Sequence, residues 1–250
     1  MQVNGAVCLV TGATSGIGRA AAVQLAHAGA RVIALGRDPD ALEDVVAHTS
    51  GVGVRAELAD PEEVDRAGQE AVEAFGRVDV LVNNAGEGYA GRFAEMTAQR
   101  AERLVRVNLL APIRLTRALL PAMIERRAGH IVNVSSVAGH VGVAGEAVYS
   151  ATKAALITFS DSLRDEVHGS GVGVSVVSPG VVDTPFFERR GHPYDRSFPR
   201  PIPAEPVAEG ILRAIRTGKP QVFVPAWGSF PARLRGGLPG LYRALARRFG

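Results

Sequence analysis

The chain has 250 residues, 46% of them hydrophobic, enough to bury one large core without division into separate globular units. A single cysteine excludes a disulfide framework, and no Cys/His cluster has zinc-ligand spacing, so no metal centre is expected and a reducing compartment fits. The formal charge of +3 is unevenly placed: beyond Glu209 stand eight Lys/Arg and no acid, against 20 basic and 25 acidic residues up to that point, so the basic character belongs to a tail and no nucleic-acid partner is expected. The amino terminus has no basic stretch ahead of an apolar one, and no uninterrupted apolar run reaches the ~20 residues of a membrane span. The expectation is a soluble, cytoplasmic protein, at most peripheral to a membrane.

Residues 6–10 form a short apolar run that ends in Thr11-Gly12-Ala13-Thr14-Ser15-Gly16-Ile17-Gly18, and an Ala-rich helical pattern follows to about residue 28. Strand, glycine turn and helix in that order let the backbone approach a pyrophosphate and offer it the free amides of a helix start. The spacing G-x-x-x-G-x-G does not strictly match the general dinucleotide fingerprint, and a tight turn with no ligand is the plain alternative. The next strand, 31–35, ends in Gly36-Arg37, where dinucleotide folds place an acid for the ribose hydroxyls. Arg37 suits a 2′-phosphate instead, which points to NADP(H) over NAD(H); a loop arginine paired with Asp38 is the other reading.

Residues 39–49 read as a helix, 53–58 as a third strand, and 61–75 as a helix with Pro61 in its first turn and Asp60 as a candidate N-cap. A fourth strand, 78–82, runs into Asn83-Asn84-Ala85-Gly86, at the carboxyl edge where parallel sheets bind ligands. These asparagines would equally serve to fix the turn. A long helical pattern over 97–126 is interrupted around Asn108 and Pro112, because proline removes a donor and should bend or open the helix there. A fifth strand, 129–134, ends in Ser135-Ser136, and a small-residue loop over 137–147 leads to a helix carrying Tyr149 and Lys153. Four residues apart, these two share a helix face, so the ammonium should pull the phenol's pKa down from about 10 toward the range of a general acid/base. An aromatic on a core edge beside a solvated lysine would give the same spacing. Strands at 173–177, ending in Ser178-Pro179-Gly180, and at 221–224 complete an α/β pattern: a doubly wound parallel sheet of about seven strands with helices on both faces. Residues 181–206 break the alternation, mixing Phe186, Phe187, Tyr194 and Phe198 with arginines and prolines, as lids do.

This divides the chain into a nucleotide-binding and catalytic domain at 1–224 and a basic amphipathic tail at 225–250. In the tail Leu234, Leu238, Leu241, Leu245 and Phe249 recur every three or four residues among Arg233, Arg235, Arg243, Arg247 and Arg248. Pro239 can open a short helix, which Gly236-Gly237 should separate from what precedes it. Either the apolar stripe packs on this subunit or a partner, or it dips into an anionic bilayer with the arginines near the headgroups.

Taken in order, these motifs resemble those of the compact, NADP-preferring branch of the short-chain dehydrogenase/reductase family over roughly residues 6–224. Gly12, Thr14, Ser15, Gly16, Ile17 and Gly18 fall on that family's cofactor turn, Asn84, Ala85 and Gly86 on its N-N-A-G, and Asn108, Ser136, Tyr149 and Lys153 on its catalytic tetrad. Pro179, Gly180 and Thr184 fall on the stretch beside the nicotinamide. The resemblance implies the strand order 3-2-1-4-5-6-7, an adenine contact from Asp60, and homodimers or homotetramers built through the helices around Asn108 and Tyr149. Glu57 is a departure from the family pattern that should not touch the chemistry. It further implies an NADP(H)-dependent oxidoreductase that interconverts a ketone or aldehyde with an alcohol, in which Ser136 bonds the substrate oxygen and Tyr149 exchanges the proton. Lys153 would lower the phenol's pKa and hold the nicotinamide ribose, and Asn108 would keep a water for proton resupply. The lid aromatics favour an apolar small-molecule substrate. Two other classes share the fold: a non-catalytic nucleotide-binding regulator, which would not require the tetrad, and an epimerase or dehydratase, which typically carries a longer carboxy-terminal region.

Overall fold

A computed structural model describes residues 1–240 and residue 242. Seven strands, β1 (Val7–Thr11), β2 (Arg31–Gly36), β3 (Val52–Arg55), β4 (Val80–Asn83), β5 (Gly129–Val134), β6 (Val172–Pro179) and β7 (Gln221–Val224), form one parallel sheet in the order 3-2-1-4-5-6-7. The helices in chain order are α1 (Gly16–His27), α2 (Pro39–Thr49), α3 (Pro61–Phe75), α4 (Ala98–Val105), α5 (Ala111–Glu125), α6 (Val137–Val141), α7 (Ala147–Glu166), α8 (Phe186–Arg189), α9 (Glu205–Thr217) and α10 (Ser229–Gly237). Every residue of β1 and β5 is buried, as expected of strands covered on both faces. One core layer joins Leu25 of α1, Val45 of α2 and Ile211 and Ile215 of α9; the other joins Ala67 of α3, Leu115, Leu119 and Met123 of α5, and Leu163 of α7. Strand order reverses between β1 and β4, which opens a crevice at their carboxyl ends.

Beneath that crevice a polar thread crosses the second layer. Asn83 and Asn133 are register partners on β4 and β5; the Asn83 amide donates to Asn133 Oδ1 (2.8 Å), Asn133 donates to Ser160 Oγ (2.8 Å), and Ser160 donates to Leu156 O (2.6 Å) on α7.

The long helix opens where Asn108 and Pro112 predicted, as a π-helical turn over Arg106–Leu110 between α4 and α5. The helical run Ala98–Glu125 would suffice by length and hydropathy to cross a membrane, but here Leu104, Leu115, Leu119 and Met123 are buried in the fold. Other expectations need correction. The third strand stops at Arg55 instead of reaching residue 58, because Glu57 turns inward to bond Arg37 and Arg103 while its amide bonds the Glu63 carboxylate (2.7 Å). The loop expected over 137–147 contains α6, whose first turn is capped by Ser136 Oγ accepting from the Ala138 amide (3.1 Å). By contrast, Gly236 and Gly237 end α10, helix geometry lapses at Leu238 and resumes at Pro239, so the expected separation before Pro239 is present. The tail positions Leu241, Leu245, Phe249, Arg243, Arg247 and Arg248 lie outside the described residues.

Candidate active site

A cavity of about 960 Å³ opens over the carboxyl ends of the strands, at the upper end of the range for ligand pockets. Of the site residues expected from sequence, all but Gly18, Asp60 and Asn108 line it. Gly18 lies behind the turn, where a Cβ would stand 2.1 Å from the Gly12 carbonyl oxygen, so no other residue fits. The same turn is tied to β4: Thr11 Oγ1 accepts from the Asn84 and Ala85 amides (both 3.0 Å), and Asn84 Nδ2 donates to Thr11 O (2.9 Å). The Asn84 side chain is therefore spent on holding the turn, and Ser15, the N-cap of α1, makes no capping bond of its own. The first-turn amides of α1 thus stand beside the cavity without a cap from Ser15, in the arrangement that suits a diphosphate.

At the adenosine side the acid in the cavity wall is Glu57, not Asp60. The Asp60 carboxylate accepts from the Glu62 and Glu63 amides (2.9 and 3.4 Å) as the N-cap of α3, which turns it away from the cavity. Arg37 lines the cavity with its side chain half exposed, and its Nη1 donates to both Glu57 and Glu87 (3.2 Å each); the anticipated Asp38 pair does not form, because Asp38 caps α2.

The groups expected to react come from three elements. Ser136 leaves β5, and Gly139 on α6 lets that helix close on α7, since a Cβ there would stand 2.7 Å from the Lys153 backbone. Ser135, half of a pair of which sequence reading singled out only the partner, donates to Lys153 O (2.9 Å) and so anchors α7. The Ser136 hydroxyl neighbours the Tyr149 phenol and favours its ionised form. Burial pushes the phenol's pKa well above its usual value, with Ser136 pulling it back and the nearby Glu146 carboxylate adding to the rise. The expected depression by Lys153 is not found. Spacing does bring the ammonium over the Tyr149 ring (5.9 Å from its centre), but Nζ donates to Val134 O (2.9 Å) and not to the phenol, and burial lowers Lys153 to about 8.

Asn108 is fully buried in the π turn. Its Nδ2 donates to Glu87 O (2.9 Å) and Thr152 Oγ1 (3.1 Å), and its Oδ1 accepts from Glu87 N (2.8 Å). It reaches the site through Gly86: a Cβ added there would lie 3.3 Å from both Asn108 Oδ1 and Lys153 Nζ. Gly86 therefore packs close against both polar atoms, and a side chain there would press on them.

The segment 181–206 closes the other wall. Rings run outward from Tyr149 to Phe186 (5.5 Å), Phe187 (5.5 Å) and Tyr194 (5.2 Å), while Phe198 stacks on Trp227 (5.8 Å) at the rim. Arg190 donates to Glu146, a pair in which both partners are largely buried, and Arg189 donates to Ser15 Oγ (3.2 Å) at the glycine turn. Neither contact was legible in sequence, because each joins residues more than 40 positions apart. Thr184 packs on Gly16, where a Cβ would meet its methyl at 2.8 Å. The residues present fit a dinucleotide: glycines that leave no room for side chains, uncapped amides at α1, and a guanidinium at the adenosine end.

A family model described as "short chain dehydrogenase" matches residues 6–195. The mouse protein named dehydrogenase/reductase SDR family member 7B is 35% identical, over 97% of this chain and 81% of its own length. Ketoacyl reductase HetN of a Nostoc strain is 35% identical over 89% of this chain and 79% of its own. Among solved structures, a short-chain dehydrogenase from Sphingobium yanoikuyae in complex with NADPH has a TM-score of 0.82 at 28% identity, covering 94% of this chain and 96% of that one. A short-chain dehydrogenase/reductase from Burkholderia phymatum in complex with NAD has a TM-score of 0.86 at 28% identity, covering 96% of each.

Proposed function

The chain belongs to the short-chain dehydrogenase/reductase family and is an oxidoreductase that works with a nicotinamide nucleotide, and from that premise we propose that it reduces the carbonyl of an apolar substrate with NADPH, Tyr149 serving as the acid. The observation that carries this reading is the convergence of Ser136, Tyr149 and Lys153 on the cavity that the glycine turn also lines. Bound nicotinamide supplies the hydride. Ser136 and Tyr149 hold the substrate oxygen, and the phenol, kept protonated at neutral pH by burial, gives its proton to that oxygen. The phenolate left behind is favoured by Ser136, the neighbour that pulls the phenol's pKa back toward its ordinary value. With a pKa near 8, Lys153 is close to balance at neutral pH and passes a proton on readily. Proton resupply to Nζ is proposed to come through the cavity that Lys153 lines.

Relatives hold either NADPH or NAD, so the choice of NADP(H) rests on Arg37 in the cavity wall. A charge-assisted arginine-phosphate contact contributes about 1.5 to 3 kcal/mol, so NADPH should bind roughly 10- to 100-fold more tightly than NADH, and Arg37→Ala should erase the difference. Equal affinities in the unaltered protein refute the preference. The ring series from Tyr149 to Tyr194 supports an apolar carbonyl compound, and the ketoacyl reductase among the relatives suggests that an acyl-chain ketone heads the test panel. NADPH oxidation across ketones of rising chain length, with Tyr149→Phe as blank, tests it; activity confined to small polar carbonyls would count against an apolar substrate. The regulator and epimerase readings have no observation in their favour.

The proposed assembly is a homodimer through α5 and α7, where Ile113, Leu120, Ile124 and Phe159 line an apolar groove. A monomeric mass for the unaltered protein by light scattering would count against it. The proposed location is cytoplasmic with a peripheral bilayer contact. In support, Trp227, Phe230 and Leu238 point outward (49%, 69% and 57% exposed) while Arg235 turns back to donate to His140 O (2.7 Å). Salt-sensitive co-sedimentation with anionic vesicles, lost on deleting residues 231–250, is the expected result; equal binding by the truncated protein removes the membrane role.

A further inference from the structure

The adenosine wall of the cavity carries an ionic cluster whose hub is Glu87, the residue after Asn84-Ala85-Gly86. Its carboxylate accepts from Arg103 (2.7 Å), Arg100 (3.0 Å) and Arg37 (3.2 Å). Arg103 and Arg37 also donate to Glu57 (3.0 and 3.2 Å), so three guanidinium groups face two carboxylates and one positive charge is left over. The Glu87 backbone meanwhile grips Asn108 at both ends of its amide, and Arg100 adds a bond to the next carbonyl, Gly88 O (2.7 Å). The Glu87 side chain is only 16% exposed, against 52% for Arg37. The least exposed member of the cluster is therefore the one that touches both ends of the site.

We propose that Glu87 is a positioning and cofactor-specificity residue: its carboxylate competes with the 2′-phosphate of NADP(H) for Arg37, and, held by Arg100 and Arg103, it fixes the backbone that orients Asn108. The inference rests on the assignment of Arg37 to the 2′-phosphate. A phosphate dianion outcompetes a single carboxylate for the half-exposed Arg37, but it must displace that carboxylate to bind, a cost that the neutral ribose hydroxyl of NAD(H) does not meet, so the bridge tempers the preference for NADP(H). When Arg37 leaves, Glu87 keeps Arg100 and Arg103, and the grip on Asn108 survives cofactor binding.

Nicotinamide-fluorescence titrations and steady-state rates on Glu87→Gln, Arg100→Gln and Arg37→Ala test this, with melting temperatures to check folding. In Glu87→Gln the Kd for NADPH should fall about 3- to 10-fold with that for NADH changed less than about twofold, because Arg37 is released from a competitor, while kcat falls about 5- to 10-fold with either cofactor. Arg100→Gln, which does not touch Arg37, should lower kcat similarly and leave both Kd values in place. Unchanged kcat in both variants overturns the positioning role; equal shifts of the two Kd values in Glu87→Gln overturn the specificity role. If Arg37→Ala leaves the NADPH-to-NADH ratio at its original value, the 2′-phosphate assignment itself has failed. If that ratio collapses but Glu87→Gln moves no Kd, the assignment stands and the competition proposed here does not.

Discussion

At the glycine turn a Cβ on Gly18 would stand 2.1 Å from a backbone oxygen, whereas across the cavity, in the segment 181–206, a Cβ on Gly191 would meet nothing within 4 Å. The first wall is made of backbone: three bonds tie Thr11 to Asn84 and Ala85, and no side chain can be added. The second is made of side chains, a row of rings and two arginines reaching to Glu146 and Ser15. Backbone geometry suits a ligand common to a whole family, and side chains suit one that differs between members. The Tyr149 phenol sits between them, packed on Phe186 and beside Ser136.

The contrast can be broken first at that junction. Tyr149→Phe removes only the hydroxyl, so the protein should fold and bind cofactor while kcat falls roughly 10²-fold or more; turnover near the original value would remove the acid role. Next, Gly18→Ala should damage the cofactor wall, with overpacking costing about 1 to 3 kcal/mol and NADPH affinity falling about 10-fold or more; NADPH titration beside a Gly236→Ala control, in open space with helical backbone, that binds normally makes the comparison. The substrate wall should respond differently. Arg190→Gln leaves Glu146 buried without its cation, loosening the segment, so KM for the substrate should rise about tenfold with NADPH affinity held; a parallel loss of cofactor affinity would show the walls are not independent.

The smallest effect on chemistry is expected beneath both walls. His130 on β5 is buried against Ser175, and burial lowers its pKa from 6.5 to about 4. Between those values the unfolded chain binds a proton that the folded protein refuses, so stability is full above pH 6.5, falls as pH drops, and levels off below about 4, a loss of about 3 kcal/mol. Urea midpoints from pH 7 to 4 should follow this slope, and His130→Gln should flatten it; an equal slope in the variant would place the acid sensitivity elsewhere.

Sequence reading succeeded where one local rule decides the outcome. Proline at 112 opens the helix at Asn108, glycines mark the turn after β1, and apolar runs bounded by Gly, Asn and Ser give the strands. It failed where a single residue's fate depends on a distant neighbour. Glu57 and Asp60 are three positions apart, and which of them faces the cavity depends on β3 ending at Arg55, which no local pattern fixes. Helical spacing gave the approach of Lys153 to Tyr149 but not the Val134 carbonyl that takes the ammonium, nor the burial that raises the phenol. Glu87 carried no signal, since its significance lies in three arginines 13, 16 and 50 positions away.

The Asn83–Asn133 pair bears on how the sheet finds its alignment. β4 and β5 are short runs of Val, Leu and Ile drawn from segments 50 positions apart, and a slide of two residues would keep every apolar side chain on its own face. Such a slide would part the two amides inside the core, where each unpartnered polar group costs about 1 to 3 kcal/mol, or roughly 2 to 6 kcal/mol together. The asparagines thus act as an index mark, making one alignment of otherwise interchangeable strands the favoured one, and the carboxyl ends that carry Asn84 and Ser136 arrive level with each other because of it.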